Sequence, residues 1–589
     1  MFNKFCYLFL FFLYSCASSI FAFESYIVDF KGVKSEEVLN AVKSISQLLY
    51  LQEIPPISKA SLQRRAEADI PNIIKALHSF SFYNATVLLN IDFDQNPVSI
   101  VFEINVGASY SFGGFTLLQA NKESKFPLSS LNPKELGLHI YQKALPKDIL
   151  QAEETLLSLM EKAGYPFARI EKREVLVDQQ KGQVFVNLTV DEGPFCLFGK
   201  VTIFGNESVS DAFIKKKLQW KENHIYNPER LERTENALEQ TGLFNSITIE
   251  KGALQDERIL PIQIHVEEAK QRSIGIGAGY ATQRGIGGAF EWEHRNVRHM
   301  GEKLSLKTNI WRQLQEGTLT YVIPDFQKKR RDLRLMFDYE HERTRGYSQI
   351  FYSVSAILEK LVNEQIRISY GVMYKYLHDT RSDNNRGFNL LKIPFQLRFN
   401  NTNNLLDPTV GFSFNFKMIP SLQTFTPQFF YTINTLIGTF YLPLTDNHRL
   451  SFADKVTFGT IIGATHHAIP PSERFYAGSE NLLRGYHYLT VSPLNHHNKP
   501  VGGRSMLINS WEIRFRKSET LGFCLFYEAG NVFESYLPDF SCRILQSCGV
   551  GFRYYTPVGP IRADLAFPLN RRKQLDGPFQ FYMSIGQAF

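Results

Sequence analysis

Beyond residue 22 this sequence has no apolar run near the roughly 20 residues a spanning helix needs, which excludes a helical membrane protein. Cysteine is scarce. Of six, Cys6 and Cys16 fall in an apolar leader, while Cys196, Cys524, Cys542 and Cys548 are scattered, so neither a disulfide framework nor zinc-finger spacing is present. Only Cys542 and Cys548 stand close enough to close a small loop in an oxidising compartment; isolated buried thiols are the alternative. Catalytic motifs are also missing: there is no nucleophile elbow, zincin helix or phosphate loop. His341-Glu342 lacks a second His at helical spacing, and His466-His467 and His496-His497 read as incidental loop residues. The reading is a protein that is not an enzyme, with no catalytic residue, no cofactor and no metal. Nor do basic residues form a compact run interleaved with aromatics, so nucleic acid is not a partner despite a formal net charge of +7.

Aromatics, by contrast, are abundant. Forty-nine Phe and 27 Tyr in 589 residues exclude a disordered chain. Charge is divided unevenly: residues 23–267 hold 26 Lys and Arg against 32 Asp and Glu, and residues 268–589 hold 38 against 26. The two halves differ in kind. Lys4, the apolar stretch from Phe5 to Tyr14, and Ile20-Phe21-Ala22 predict a secretory signal over residues 1–22. Leu13-Tyr14-Ser15-Cys16 resembles a lipoprotein box, with bulky Tyr14 against lipidation of Cys16.

The acidic half repeats. Gly193-Pro194-Phe195-Cys196-Leu197-Phe198-Gly199 aligns with Gly107-Ala108-Ser109-Tyr110-Ser111-Phe112-Gly113, and each follows an alternating strand. A period near 80 residues, with a strand, helical patterning and two further strands, predicts three small α/β modules over 23–106, 107–192 and 193–268. Their free strand edges suit strand addition by an extended partner.

From residue 272 the period becomes two. Ile366, Ile368, Tyr370, Val372 and Tyr374 alternate with Arg367, Ser369, Gly371, Met373 and Lys375; Ile561, Ala563, Leu565 and Phe567 alternate with Arg562, Asp564 and Ala566. The segments run about ten residues with aromatics at their ends, the length and girdle of tilted bilayer-spanning strands. Hydrocarbon leaves no backbone group unpaired, so they must close on themselves. Sixteen such segments predict an antiparallel transmembrane β-barrel over 269–589, its longest connection at 462–503, between strands eleven and twelve. The even number brings the C-terminus back to the side of the modules.

The long connection carries Arg474-Phe475-Tyr476-Ala477-Gly478-Ser479 and Asn481-Leu482-Leu483-Arg484-Gly485-Tyr486. With Asp407-Pro408-Thr409, Tyr527-Glu528-Ala529-Gly530-Asn531 and Thr556-Pro557-Val558-Gly559-Pro560, it resembles the BamA/TamA outer-membrane assembly-factor superfamily. The resemblance implies periplasmic POTRA modules and a sixteen-stranded barrel in the outer membrane. It also implies an inward-folded loop tipped by Arg484, Gly485 and Tyr486. Three modules are closest to the TamA type. That implies insertion or translocation of β-barrel or autotransporter-type clients, unfolded outer-membrane proteins, through lateral opening of the barrel. An inner-membrane partner of TamB type would sit at the modules, with the lipid bilayer around the barrel. The alternatives are a secretion pore for a dedicated substrate, a general BamA-like insertase, or a passive channel. Gly478-Ser479 replaces the family's usual glycine pair, Val410 stands where Arg is common, and Glu528 replaces the frequent Asp.

Alternation also predicts the loop's partners. Glu512 shares a face with Ser510 and Arg514, and Glu528 with Cys524 and Phe526, so Arg484 in the lumen is expected to meet Glu528, Glu512 or both. The working seam is expected between the first strand, with Gly275, Gly277 and Gly279 on one face, and the last, with Gly586 and Phe589. Glycine weakens a strand and permits bending; the alternative is that these glycines only make room for packing.

Overall fold

The computed structural model describes residues 25–589 except 55, 121–125, 129–130, 282–284, 381–385, 557–558 and 586–589. The leader with Cys16, and the seam positions Gly586 and Phe589, lie outside the described residues. No described helix is long and apolar enough to cross a membrane.

Three modules come first. β1 (Tyr26–Lys31), β2 (Thr86–Asp92) and β3 (Val98–Asn105) form one sheet, β4 (Ser111–Gln119), β5 (Arg169–Asp178) and β6 (Gln183–Asp191) a second. β7 (Leu197–Phe204), β8 (Phe244–Lys251) and β9 (Ile259–Glu268) form the third. In each the last strand is central, so β2, β5 and β8 remain edges. The first strand pairs in parallel with the central one and the second antiparallel, as resolved for the first two modules. The helices between them form where apolar residues recur at helical spacing. Ser58 caps Lys59–Ser79, which buries Leu62, Ala66, Ile73 and Leu77; Pro146–Lys162 buries Ile149, Ala152, Leu156 and Met160. Val184, Val186, Val190 and Leu188 line the underlying sheet without exposure. Each module thus buries its own core.

The remaining strands make one continuous antiparallel sheet. It begins with β10 (Arg272–Ala281), β11 (Gly285–His294), β12 (Lys303–Trp311) and β13 (Leu314–Ile323). β14 (Arg331–Arg343), β15 (Ser348–Leu361), β16 (Ile366–Asp379), β17 (Gly387–Lys392) and β18 (Phe395–Asn400) follow. β19 (Gly411–Gln423), β20 (Phe429–Pro443) and β21 (Leu450–Gly463) lead into the long loop. Beyond it stand β22 (Ser505–Arg516), β23 (Leu521–Phe533), β24 (Leu545–Thr556), β25 (Gly559–Pro568) and β26 (Gln580–Ile585).

These seventeen segments make sixteen staves, because β17 and β18 are two halves of one. β16 pairs with β18 along its first half and with β17 along its second. Pro394, which has no N–H to give a ladder, sits at the break, and its carbonyl accepts from Gly371 N at 3.1 Å. On its other side, a Cβ at Gly371 would lie 2.1 Å from the Ala356 carbonyl oxygen of β15, so only glycine lets β15 and β16 pair this closely at that level. Several strands outrun the expected length of about ten residues: β19 and β23 each run for 13, to Gln423 and Phe533. Alternating apolar residues mark only the lipid belt, whereas Val532 and Phe533 are buried beyond it.

The lipid-facing surface of the barrel is apolar and exposed, including Val354, Tyr370, Val372, Phe412, Ile513, Leu525 and Val550. Its lumen side holds the buried charges.

Candidate functional site: the lumen loop and the barrel seam

The loop from β21 to β22 enters the lumen, where a single apolar cluster takes in Phe475, Ala477, Leu483, Tyr486 and Val491 with Ile508 and Val532 of the wall. Its tip is held by charge. Arg484 has 0% exposure. Its backbone N–H donates to Glu528 Oε2, its Nε donates to Glu528 Oε1 at 2.8 Å, and its Nη1 to Asp564 Oδ2 at 2.8 Å. Nη2 lies 2.8 Å from Glu512 Oε1, an ion pair by distance without hydrogen-bond geometry. The guanidinium plane stacks on Phe526, 3.5 Å from the ring centroid. Burial works to lower the pKa of Arg484; the carboxylates of Glu528, Glu512 and Asp564 outweigh it and hold the charge in place.

Three carboxylates around one guanidinium need further cations. Arg514 Nη2 sits 2.8 Å from Glu512 Oε2, and Arg553 Nη1 donates to Asp564 Oδ1. Arg562 donates to Asn481 Oδ1 at 2.6 Å and to Ser584 Oγ at 2.5 Å. Sequence reasoning named Glu512 and Glu528 but not Asp564, Arg553 or Arg562; the available signal was the alternation placing Arg562 and Asp564 on the charged face of β25. Gly485 follows at φ +95°, and a Cβ there would lie 3.2 Å from both Pro568 N and Ser547 Cβ. Its N–H donates to Tyr582 Oη at 3.0 Å, and Tyr486 Oη donates to the Gln546 carbonyl at 2.7 Å. Tyr582 and Ser584 belong to β26, so the loop tip grips the last strand.

A second anchor lies nearer the loop's start. Glu473 pairs with Lys375 at 2.9 Å and with Lys392. Burial alone would raise its pKa; the two ammonium groups overturn that and hold it far below the usual carboxylate range. A depressed folded pKa stabilises the seat above the unfolded value, about 4.3, and that contribution is lost as pH falls below it. Glu473→Gln is expected to cost about 3 kcal/mol, the low end for breaking a buried ion pair. Limited proteolysis of the loop at neutral pH in rising urea reads this out; an unchanged midpoint would reject it.

At the seam, β10 pairs with β11 over its whole length, from Arg272 to Ala281. β26 lies beside β10, but among the described residues no ladder joins them. Ile276 on β10 is 84% exposed. Cβ atoms at Gly275, Gly277 and Gly279 would meet their nearest neighbours at 3.6–3.7 Å, ordinary contact, so close packing does not require glycine there. His466, whose ring nitrogen lies 2.8 Å from the Gly502 carbonyl oxygen, belongs to the loop's scaffold. The four described cysteines are free thiols, so Cys542 and Cys548 are not bridged. No group of three or more His, Cys, Asp or Glu suited to a metal occurs among the described residues.

Comparison with known proteins places this architecture. Residues 296–589 match the Omp85 superfamily domain, and residues 197–269 match POTRA, the surface antigen variable number repeat. The chain belongs to the Omp85 superfamily. It is similar to the outer membrane protein assembly factor BamA of Neorickettsia risticii, 21% identical over 80% of this chain and 65% of that one. It is also similar to BamA of Nitratidesulfovibrio vulgaris, 23% identical over 85% and 64%. This Omp85 chain therefore spans less than two thirds of the length of either relative. The crystal structure of Haemophilus ducreyi BamA lacking POTRA domains 1–3 has the same fold, with a TM-score of 0.69 at 18% identity, covering 80% of this chain and 99% of that one. The Omp85 barrel lies in the outer membrane, with its POTRA modules on the periplasmic side.

Proposed function

We propose that this Omp85 protein inserts or translocates outer-membrane β-barrel and autotransporter-type clients, in the manner of a TamA-type subunit, by opening between β10 and β26. The observation that carries the reading is that, among the described residues, no ladder joins β10 to β26. A strand edge in hydrocarbon leaves backbone donors and acceptors that water cannot satisfy, so an incoming client strand gains there what the lipid withholds. The grip of Tyr582 and Ser584 on the loop supports a division of labour: β26 is held by the lumen loop while β10 is presented. The apolar residues Leu88 on β2 and Leu176 on β5 are exposed on module edges, suited to receive clients or a TamB-like inner-membrane partner by strand addition. Three modules favour the TamA type over a general BamA-like insertase. The packed lumen loop speaks against a passive channel.

A photo-crosslinking residue at Ile276 tests the reading in intact outer membranes. Adducts with nascent β-barrel clients are expected; adducts with β26 of the same chain alone would overturn it.

A further inference from the structure

The lipid-facing wall formed by β18 to β21 is not smooth. A cavity of about 590 Å³ opens between Phe399, Phe412, Phe414 and Phe440, above Gly438, with Asp454 on its rim. The cross-strand register shows why. Phe414 faces Gly438 across one ladder and Gly438 faces Val456 across the next, so one absent side chain leaves a notch in an aromatic surface. A Cβ on Gly438 would meet nothing within 4 Å. The Phe399 and Phe412 rings stack at 4.9 Å and make one wall.

Asp454 is out of place on such a surface. Its neighbours in register are Phe440 and Trp511, both exposed, whereas the next residue, Lys455, turns inward and donates to the Asn481 carbonyl in the lumen. Asp454 therefore faces lipid. Asn509 Nδ2 donates to its Oδ1 at 2.6 Å and fixes the carboxylate. An ionised carboxylate has about four lone-pair sites, so most remain for another donor. Among the described residues no Lys or Arg stands within ion-pair distance of it.

Depth identifies the missing cation. β21 is the eleventh stave, so it starts at the same rim where the chain enters β10. Asp454 is four residues in from Leu450, roughly 13 Å along a tilted strand and about 10 Å from the rim. Trp511 and Tyr527, with ring centroids 5.8 Å apart, stand on the same outer face. Such aromatics sit at headgroup level.

We propose that this groove is a binding site for a membrane phospholipid whose headgroup carries a primary ammonium. The acyl chain lies among the four phenylalanines over Gly438, and the ammonium pairs with the Asp454 carboxylate. A phosphatidylglycerol headgroup, anionic and without an amine, would be repelled by the same oxygen.

Native mass spectrometry of the full chain, extracted from vesicles of equal phosphatidylethanolamine and phosphatidylglycerol, tests this. Retained phosphatidylethanolamine is expected to exceed phosphatidylglycerol by at least about tenfold, the worth of one charge-assisted contact. Asp454→Asn should abolish that preference while lipid is still retained, and Gly438→Leu should displace both lipids. Heat-modifiable migration confirms that each variant barrel is folded. Equal retention of the two lipids by the unaltered protein, or an undiminished preference in Asp454→Asn, overturns the proposal. So does photo-crosslinking from position 438 in intact membranes that yields a polypeptide adduct instead of a lipid one.

Discussion

Arg484→Ala is expected to unseat the lumen loop and destabilise the barrel by about 3–5 kcal/mol, the cost of leaving a buried charge without its partner. The three carboxylates do not suffer equally. Glu512 keeps Arg514, and Asp564 keeps Arg553. Glu528 loses the guanidinium that reaches it through two nitrogens and becomes the stranded group. Arg484→Ala combined with Glu528→Gln should therefore recover a substantial part of the loss, whereas adding Glu512→Gln should not. Arg484→Lys should rescue little, because a single ammonium cannot address three carboxylates through a planar fork. Urea midpoints of heat-modifiable migration and protease cleavage within 462–503 measure both. A single variant as stable as the parent, with its loop still protected, would remove the loop anchor from the account.

A disulfide between cysteines placed on β10 and β26 is expected to stop client insertion, and reduction to restore it. The magnitude follows from what the seam lacks. A full antiparallel ladder over a ten-residue strand would carry roughly one hydrogen bond per residue at about 1 kcal/mol net each, a barrier near the stability of many whole domains. Among the described residues that ladder is missing, so parting the two strands separates mainly apolar side chains. A covalent bridge replaces this weak contact with one that no client strand can displace. Client insertion that continues at the parental rate in the oxidised protein, with the bridge verified by mass, would exclude the seam as the route.

The two results are linked through β26. Tyr582 accepts from Gly485, and Ser584 accepts from Arg562, which in turn holds Asn481 of the loop. Loss of Arg484 should therefore loosen the last strand as well as the loop. The seam-locked protein should remain as resistant to urea as its parent.

Much of the architecture was legible in the chain itself. Period-two alternation such as Ile366 to Tyr374 needs only local stereochemistry to place apolar side chains on one face, and the repeat of Gly193 to Gly199 on Gly107 to Gly113 marks the modules directly. The same alternation put Glu512 and Glu528 in the lumen. It could not show that Asp564 completes the set, because Arg484 and Asp564 are 80 residues apart and meet only once the barrel curves the charged face of β25 toward the loop. The Glu473 anchor was equally silent, since its two lysines lie 98 and 81 residues away on different strands. Nor does the sequence distinguish Asp454 from any other polar residue in a strand. That it faces lipid follows from register, which a shift of one residue would reverse.

Residue pattern alone thus determined what is periodic: the modules, the spanning strands and which of their faces is polar. Tertiary structure decided what is singular, namely which carboxylates surround Arg484, which lysines seat Glu473, and which strand the loop holds. The reason is range. Periodicity arises from backbone geometry over a few residues, whereas a buried charge takes its partners from whichever strands the closed barrel brings within reach.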